Sequence, residues 1–136
     1  MKAEEYYTET YITEWKDKDN VIISMWKQDL STLNEVSWQV GVVELAVHKR
    51  GEHEGEALVW NLYVDEPERR KGLARRLMDE ARKTAKHLGA HTCALEWSLR
   101  ESPNWVFDWY CRLGYDEKEF GPGCSLMKLT IKKANQ

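Results

Sequence analysis

The sequence predicts an α/β (α+β) fold: a mixed, mostly antiparallel sheet of about six to seven strands, a central parallel βαβ crossover and two main helices. Three observations support this class. The first half of the chain is a series of β-rich segments separated by polar turns. Between residues 72 and 88 the apolar residues adopt the period of an amphipathic helix. Strand-like segments lie on both sides of that helix, which predicts a right-handed βαβ unit.

Four strands are predicted before the first helix, over residues 6–15, 21–27, 36–48 and 57–64. The polar stretch KDKDN at 16–20 would connect the first two strands, and residues 28–34 would form a loop. The third strand is expected to bend near Gly41. The fourth, ALVWNLYV, hardly alternates between apolar and polar residues, so we expect it to be central and covered on both faces.

The second half is predicted to contain helices over 72–88 and 102–113 and strands over 92–98, 115–120 and 125–131. Gly89 follows the first helix as its C′ residue. Ser102 and Pro103 would start the second helix as N-cap and first helical residue, and Gly114 would end it. GPG at 121–123 predicts the last turn.

Composition indicates one globular domain over residues 1–136, without a membrane span, because no run of 18 apolar residues occurs. The N-terminus lacks the apolar core of a signal peptide, so we expect a cytoplasmic protein. Three cysteines without CxxC spacing indicate free thiols, and no motif predicts a metal site. A net charge of −3 argues against general nucleic-acid binding.

A basic island, ERRKGLARRL at 68–77, lies between the fourth strand and the first helix. Unpaired amides and the helix dipole stabilise an anion at a helix N-terminus, and Gly72 and Ala74 keep the backbone accessible there. Cations at this end oppose the dipole, which favours a bound phosphate over a merely solvated basic face. Neither GxxxxGK[ST] nor GxGxxG is present.

Two segments resemble the GNAT superfamily of N-acetyltransferases. VDEPERRKGLA at 64–74 is similar to its motif A, (Arg/Gln)-x-x-Gly-x-(Gly/Ala) after a strand ending in Val-x-x-Pro. NWVFDWYCRLGY at 104–115 is similar to the family's second-helix segment, and LEWS at 95–98 to the strand before it. The resemblance covers about residues 57–129, while the first 50 residues match only as β-structure.

The resemblance implies acetyl-CoA as co-substrate, lying where the fourth and fifth strands splay apart. Strand-four backbone would pair with the pantetheine arm, and amides of residues 70–75 would hold the pyrophosphate. Asn104 and Tyr110 would contact the cofactor from the second helix. The implied cofactor-binding residues are Leu62, Tyr63, Val64, Arg69, Arg70, Lys71, Gly72, Leu73, Ala74, Arg75, Asn104 and Tyr110.

By the same resemblance, Tyr110 is the catalytic acid that protonates the leaving thiolate, whereas its position on the buried face of a helix would by itself favour a core aromatic. Val64 N–H would donate to the oxyanion. The family often places a carboxylate on the fourth strand, but residues 58–61 contain none. Glu96 is the first candidate for the catalytic base, followed by Glu56 and Glu44.

The implied function is transfer of an acetyl group to a primary amine by direct attack on the thioester. Alternatives are an inactive acyl-CoA-binding module and a small nucleic-acid-binding domain. The helix pair that the family carries between its first two strands is missing, so the acceptor cleft should be open or closed by a partner subunit in a homodimer. An open cleft suits a protein or peptide amine, and a cleft walled by Trp60 and Trp97 suits a small cationic or aromatic amine. Phe107 replaces a usually small residue.

Overall fold

Seven strands and two helices make up the described part of the computed structural model, which covers residues 4–30, 36–98, 102–121 and 123–131. The strands are β1 (Glu4–Glu14), β2 (Lys18–Asp29), β3 (Ser37–His48), β4 (Glu56–Val64), β5 (Thr92–Ser98), β6 (Asp116–Gly121) and β7 (Cys124–Thr130). The helices are α1 (Leu73–His87) and α2 (Asn104–Arg112), and a 3₁₀ turn spans Glu66–Glu68. The strand order is β1-β2-β3-β4-β5-β7-β6.

The predicted fold class is confirmed, since β4 and β5 pair in parallel and the other neighbouring strands pair antiparallel. The α1 helix joins β4 to β5, as the predicted crossover requires. Gly89 follows α1 with φ 94°, and the amide of Ala90 donates to Ala85 O (2.9 Å). The helix therefore ends as the glycine predicted.

The start of β2, the N-cap of α2 and a short 3₁₀ turn differ from the sequence prediction. The polar residues at 18–20 belong to β2 rather than to its connection, because Asp19 lies in the ladder and its carboxylate pairs with Lys49 (2.9 Å). The N-cap of α2 is Pro103, so Ser102 lies one residue before it. The 3₁₀ turn was not predicted. Parts of the expected loop at 28–34 and of the GPG turn lie outside the described residues.

The core lies on one side of the sheet, which we call the helix face. Alternating residues of β2 and β3 point toward α1, and α1 presents one apolar stripe to them. Gly41 allows close approach, because a Cβ there would lie 3.3 Å from Leu77 Cδ1. The fully or nearly fully buried residues of this layer include Val21, Ile23, Met25, Val43, Leu45, Val47, Leu73, Leu77, Ala81 and Ala85.

The opposite side, which we call the open face, leaves large side chains in solvent. Tyr11, Ile22, Trp60 and Tyr63 are 56%, 43%, 46% and 50% exposed. Within the described ranges, α1 packs on β2, β3 and β4 from the helix face, and no helix covers this side. The prediction that β4 is covered on both faces is therefore wrong for its second half, although β4 is central in the strand order.

No helix in the described residues is long and apolar enough to cross a membrane.

Candidate active site

A gap opens between the two parallel strands at the centre of the sheet. Within the described chain, β4 pairs with β5 through only three residue pairs, Glu56–Thr92, Ala57–Cys93 and Leu58–Ala94. Beyond them β4 continues to pair with β3, and β5 with β7, so the two strands diverge. The splayed sheet implied by the family resemblance is present, and the gap widens toward the C-terminal ends of both strands. A ligand there could reach exposed strand backbone from both sides.

The β4 backbone presents hydrogen-bonding groups to this gap. Asp65 N–H donates to Val40 O (2.8 Å), and the Tyr63 carbonyl lies 3.0 Å from where a Cβ of Gly41 would be, so both groups point toward β3. Successive peptide groups alternate in direction along a strand. The N–H and C=O of Val64 therefore point away from β3 and into the gap.

A β-bulge in β4 lies beside the gap. The pairing with β3 shifts between Val42–Tyr63 and Glu44–Trp60, which leaves Asn61 and Leu62 in the bulge. Asn61 has a φ of 55°, and its side-chain amide donates to Glu44 Oε2 (2.5 Å). Bulges bend a strand and redirect its side chains. This bulge places a carboxylate and an amide side by side on the open face.

The loop that follows β4 exposes a row of unpaired backbone donors. Among the described residues, none of the six successive amides from Arg70 to Arg75 donates a hydrogen bond to the protein. Arg70 and Gly72 have φ values of 67° and 80°, and Gly72 occupies the N-cap position of α1 without a side-chain cap. Free amides at a helix start, supported by the helix dipole, form an anion-binding cradle.

Two of the basic side chains in this loop make internal contacts. Arg69 Nε donates to Val64 O (2.8 Å), and its guanidinium lies 5.5 Å from the centre of the Tyr63 ring. Lys71 Nζ contacts Glu68 Oε2 (3.0 Å) and donates to Tyr6 Oη (3.2 Å). The cradle thus consists mainly of backbone, while Arg69 and Lys71 fix its shape.

Glu68 is the buried carboxylate beneath the loop, only 7% exposed. Burial would raise the pKa of this carboxyl, but hydrogen bonds from Lys27, Tyr6 and Lys71 together lower it to about 2. A lowered pKa in the folded state stabilises the fold at pH values above the ordinary pKa of 4.5 and loses that effect as pH falls toward 2.

We therefore expect Glu68→Gln to lower the melting temperature by a constant amount above about pH 5 and by a shrinking amount below it. The measurement is thermal unfolding of both proteins across that pH range. A difference between the two melting temperatures that grows as pH falls would contradict the assignment.

Tyr110 lies on α2 in a cluster of aromatic rings, half-buried against the core. Its ring centre is 6.1 Å from that of Tyr115 and 5.4 Å from that of Trp109. Burial raises the pKa of the Tyr110 hydroxyl, so the group stays protonated at neutral pH. This is the state that a catalytic acid needs, and it is also compatible with packing alone. Asn104, the first residue of α2, is exposed.

The three candidate bases occupy different places. Glu96 is exposed on β5 beyond the last β4–β5 pair, and Glu44 lies across from Trp60; both are on the open face. Glu56 lies at the closed end of the gap, where it pairs with Lys128 (2.9 Å) and contacts His53 (3.4 Å). An ion-paired carboxylate far from the open end of the β4–β5 gap is a poor catalytic base, so we no longer consider Glu56 a candidate.

The two tryptophans expected to wall the acceptor cleft lie on opposite faces. Trp60 is on the open face, whereas Trp97 is 8% exposed on the helix face. Trp97 Nε1 donates to Pro103 O (3.3 Å), and its ring packs edge-on against Phe107 (5.3 Å). Trp97 therefore packs α2 against β5, and the idea of a small cleft walled by both indoles is wrong.

Sequence reasoning missed the bulge and the cluster around Glu68, because both depend on contacts between distant residues. Tyr6 and Lys27 lie 62 and 41 positions from Glu68. The one sequence signal for the bulge is Asn61 itself, because asparagine adopts a positive φ more readily than most residues. Among the described residues, no group of three or more His, Cys, Asp or Glu could hold a metal ion.

The family comparison agrees with the geometry of the gap. Residues 2–115 match the model of the acetyltransferase (GNAT) family. No similar sequence was found among curated proteins.

Three solved structures illustrate the similarity of fold. A Klebsiella pneumoniae protein described as an acyl-CoA N-acyltransferase has a TM-score of 0.65 and 18% identity, over 83% of this chain and 73% of its own. The PaiA N-acetyltransferase of Thermoplasma acidophilum, solved with coenzyme A, has a TM-score of 0.62 and 18% identity, over 82% and 60%. The ribosomal-protein-S18-alanine N-acetyltransferase of Escherichia coli has a TM-score of 0.60 and 20% identity, over 89% and 74%.

Proposed function

Because this chain belongs to the GNAT family of acetyltransferases, we propose that it transfers the acetyl group of acetyl-CoA to a primary amine by direct attack on the thioester. The observation that supports this most is the gap between β4 and β5, which leads to the six amides of Arg70 to Arg75, none of which bonds another described residue. In the proposed pose the pantetheine arm lies along the β4 edge and the pyrophosphate on the amides of Arg70 to Arg75. Asn104 would donate to the cofactor from the start of α2.

In the proposed reaction the neutral amine nitrogen attacks the thioester carbonyl carbon. The Val64 N–H, directed into the gap, would donate to the oxygen as negative charge develops. The carbon–sulfur bond then breaks and Tyr110 gives its proton to the departing thiolate. The nitrogen loses a proton to a carboxylate on the open face, which balances the step.

Glu96 is our first choice for that carboxylate, with Glu44 as the alternative. We expect Glu96→Gln to lower kcat/KM about 100-fold and to remove the acidic limb of its pH profile, because the base must be deprotonated to act. The measurement is kcat/KM as a function of pH for Glu96→Gln and Glu44→Gln. Glu56→Gln, which changes an ion-paired carboxylate, is the control. If the acidic limb stayed in Glu96→Gln and disappeared in Glu44→Gln, Glu44 and not Glu96 would be the catalytic base.

The acceptor is proposed to be an amine on a peptide or protein. On the open face Trp60 and Tyr63 are about half exposed, Glu44 lies across from Trp60, and no described helix covers them. Glu96 lies on the same face, on the far side of the gap. A broad surface of aromatic and acidic groups suits an extended cationic chain better than an enclosed pocket does.

The test is release of free CoA thiol from acetyl-CoA with a panel of acceptors: lysine-containing peptides, peptides with a free α-amine, and small diamines. Faster turnover with peptides supports the proposal, and faster turnover with diamines contradicts the peptide part of it. Tight CoA binding without thiol release on any acceptor would instead identify an inactive acyl-CoA-binding module.

A further inference from the structure

A cluster of four polar side chains lies directly beneath the loop that carries the free amides. Lys27 Nζ is 2.7 Å from Glu68 Oε1, and Tyr6 Oη donates to Glu68 Oε2 at 2.5 Å. Lys71 Nζ completes the cluster, 3.0 Å from Glu68 Oε2 and 3.2 Å from Tyr6 Oη. We call these residues, Tyr6, Lys27, Glu68 and Lys71, the loop brace.

The loop brace connects the edge of the sheet to the loop. Tyr6 on β1 and Lys27 on β2 are directly paired residues on the helix face. Glu68 ends the 3₁₀ turn, and Lys71 immediately precedes Gly72. Two strands that are remote from the β4–β5 gap thus hold the residues on either side of Arg69 and Arg70.

The burial of the charged pair argues for more than stability. Lys27 and Glu68 are only 8% and 7% exposed, and the Lys27 ammonium also lies 5.7 Å from the rings of Tyr6 and Trp38. Removing two charges from water is costly, and apolar residues of similar volume often stabilise a fold at least as well. A charged, hydrogen-bonded cluster instead fixes one geometry, which an array of backbone donors requires.

The loop has few other constraints of its own. Its amides from Arg70 to Arg75 make no hydrogen bond within the described residues. Arg69 also holds the loop, through Nε on Val64 O and a guanidinium 5.5 Å from the centre of the Tyr63 ring. The backbone amide of Glu68 also donates a hydrogen bond to Asp65 O (2.9 Å). The brace therefore supplies the fixed end from which the donor row extends.

We propose that Tyr6, Lys27 and Glu68 are positioning residues for the cofactor pyrophosphate: they set the loop's shape without touching the ligand. This inference rests on the proposed function, since it assumes that CoA phosphates bind the loop. It assigns the N-terminal strand β1 a role in cofactor affinity. The β1 group that acts in this way is the Tyr6 hydroxyl, on the helix face of the strand.

The testing variant is Tyr6→Phe, which removes one hydroxyl and keeps the ring. Its matched control is Tyr7→Phe, the same change one residue away on the opposite face of β1. We expect Tyr6→Phe to raise KM for acetyl-CoA about tenfold with kcat nearly unchanged, because a displaced donor array binds phosphate less well. Tyr7→Phe should leave both constants unchanged.

A second substrate separates positioning from general destabilisation. S-acetylpantetheine lacks the nucleotide and the pyrophosphate, so its kcat/KM should be the same in Tyr6→Phe and in the wild-type protein. Glu68→Gln, measured by calorimetric titration with CoA, should lose at least as much affinity as Tyr6→Phe. Equal KM values for acetyl-CoA in the two tyrosine variants, or an equal loss with both acetyl donors, would overturn the inference. Failure of the wild-type protein to bind CoA would overturn the proposed function itself.

Discussion

Gly72→Glu is expected to weaken CoA binding at least about 100-fold, a loss of about 2.7 kcal/mol. Two physical effects act together. Gly72 has a φ of 80°, and a side chain in that region costs about 1–2 kcal/mol. The new carboxylate would also stand within the amide row, where its repulsion of a phosphate about 4 Å away amounts to about 1–4 kcal/mol. Calorimetric titration with CoA gives the affinity.

The chain offers a matched control at Gly51. Its φ is 85°, and a Cβ added there, as at Gly72, meets nothing within 4 Å. Gly51→Glu therefore carries the same backbone strain and the same new charge, but it lies in the β3–β4 turn at the opposite end of β4. We expect unchanged CoA affinity there. Similar losses in both variants would show that strain or net charge, and not the loop, determines binding.

Tyr110→Phe is expected to lower kcat about 100-fold while KM for acetyl-CoA changes little, since general acid catalysis contributes about 10²- to 10⁴-fold. The ring and its packing against Tyr115 stay in place, so binding should survive. Steady-state kinetics with a peptide acceptor measures the two constants. The raised pKa of Tyr110 also predicts that kcat is not lost to ionisation of this hydroxyl near neutral pH.

Tyr115→Phe is the control for Tyr110→Phe. Tyr115 is 4% exposed, and burial raises the pKa of its hydroxyl, with the neighbouring Cys93 thiol as a second cause. Losing that buried contact should lower stability by about 1 kcal/mol and leave kcat nearly unchanged. Equal losses of kcat in the two variants would mean that Tyr110 acts through packing.

Much of the fold follows from local pattern. The β5 boundaries and the α1 boundaries agree with the sequence to within a residue, because hydrophobic period and the terminating Gly89 specify them locally. The start of β2 was misplaced because polar Asp19 and Asn20 read as a turn. Pairing with β1 and β3 and the ion pair to Lys49 override that preference.

The candidate site likewise contains features that local sequence predicts and features that depend on distant contacts. The amide row could be predicted, because a glycine and basic residues at a helix start are adjacent in sequence. The Glu68 cluster and the Asn61–Glu44 contact could not, since they join residues 62 and 17 positions apart. The opposite faces of Trp60 and Trp97 depend on strand register, which composition does not specify.

The central claim is that the gap between β4 and β5 holds CoA with its pyrophosphate on the amides of Arg70 to Arg75. The most direct measurement is the amide nuclear magnetic resonance spectrum of the uniformly ¹⁵N-labelled protein during titration with CoA. We predict that the largest shifts fall on these six amides and on Val64, with smaller shifts along α2. Saturable binding with its largest shifts elsewhere, or no shifts in the 70–75 segment, would contradict the account.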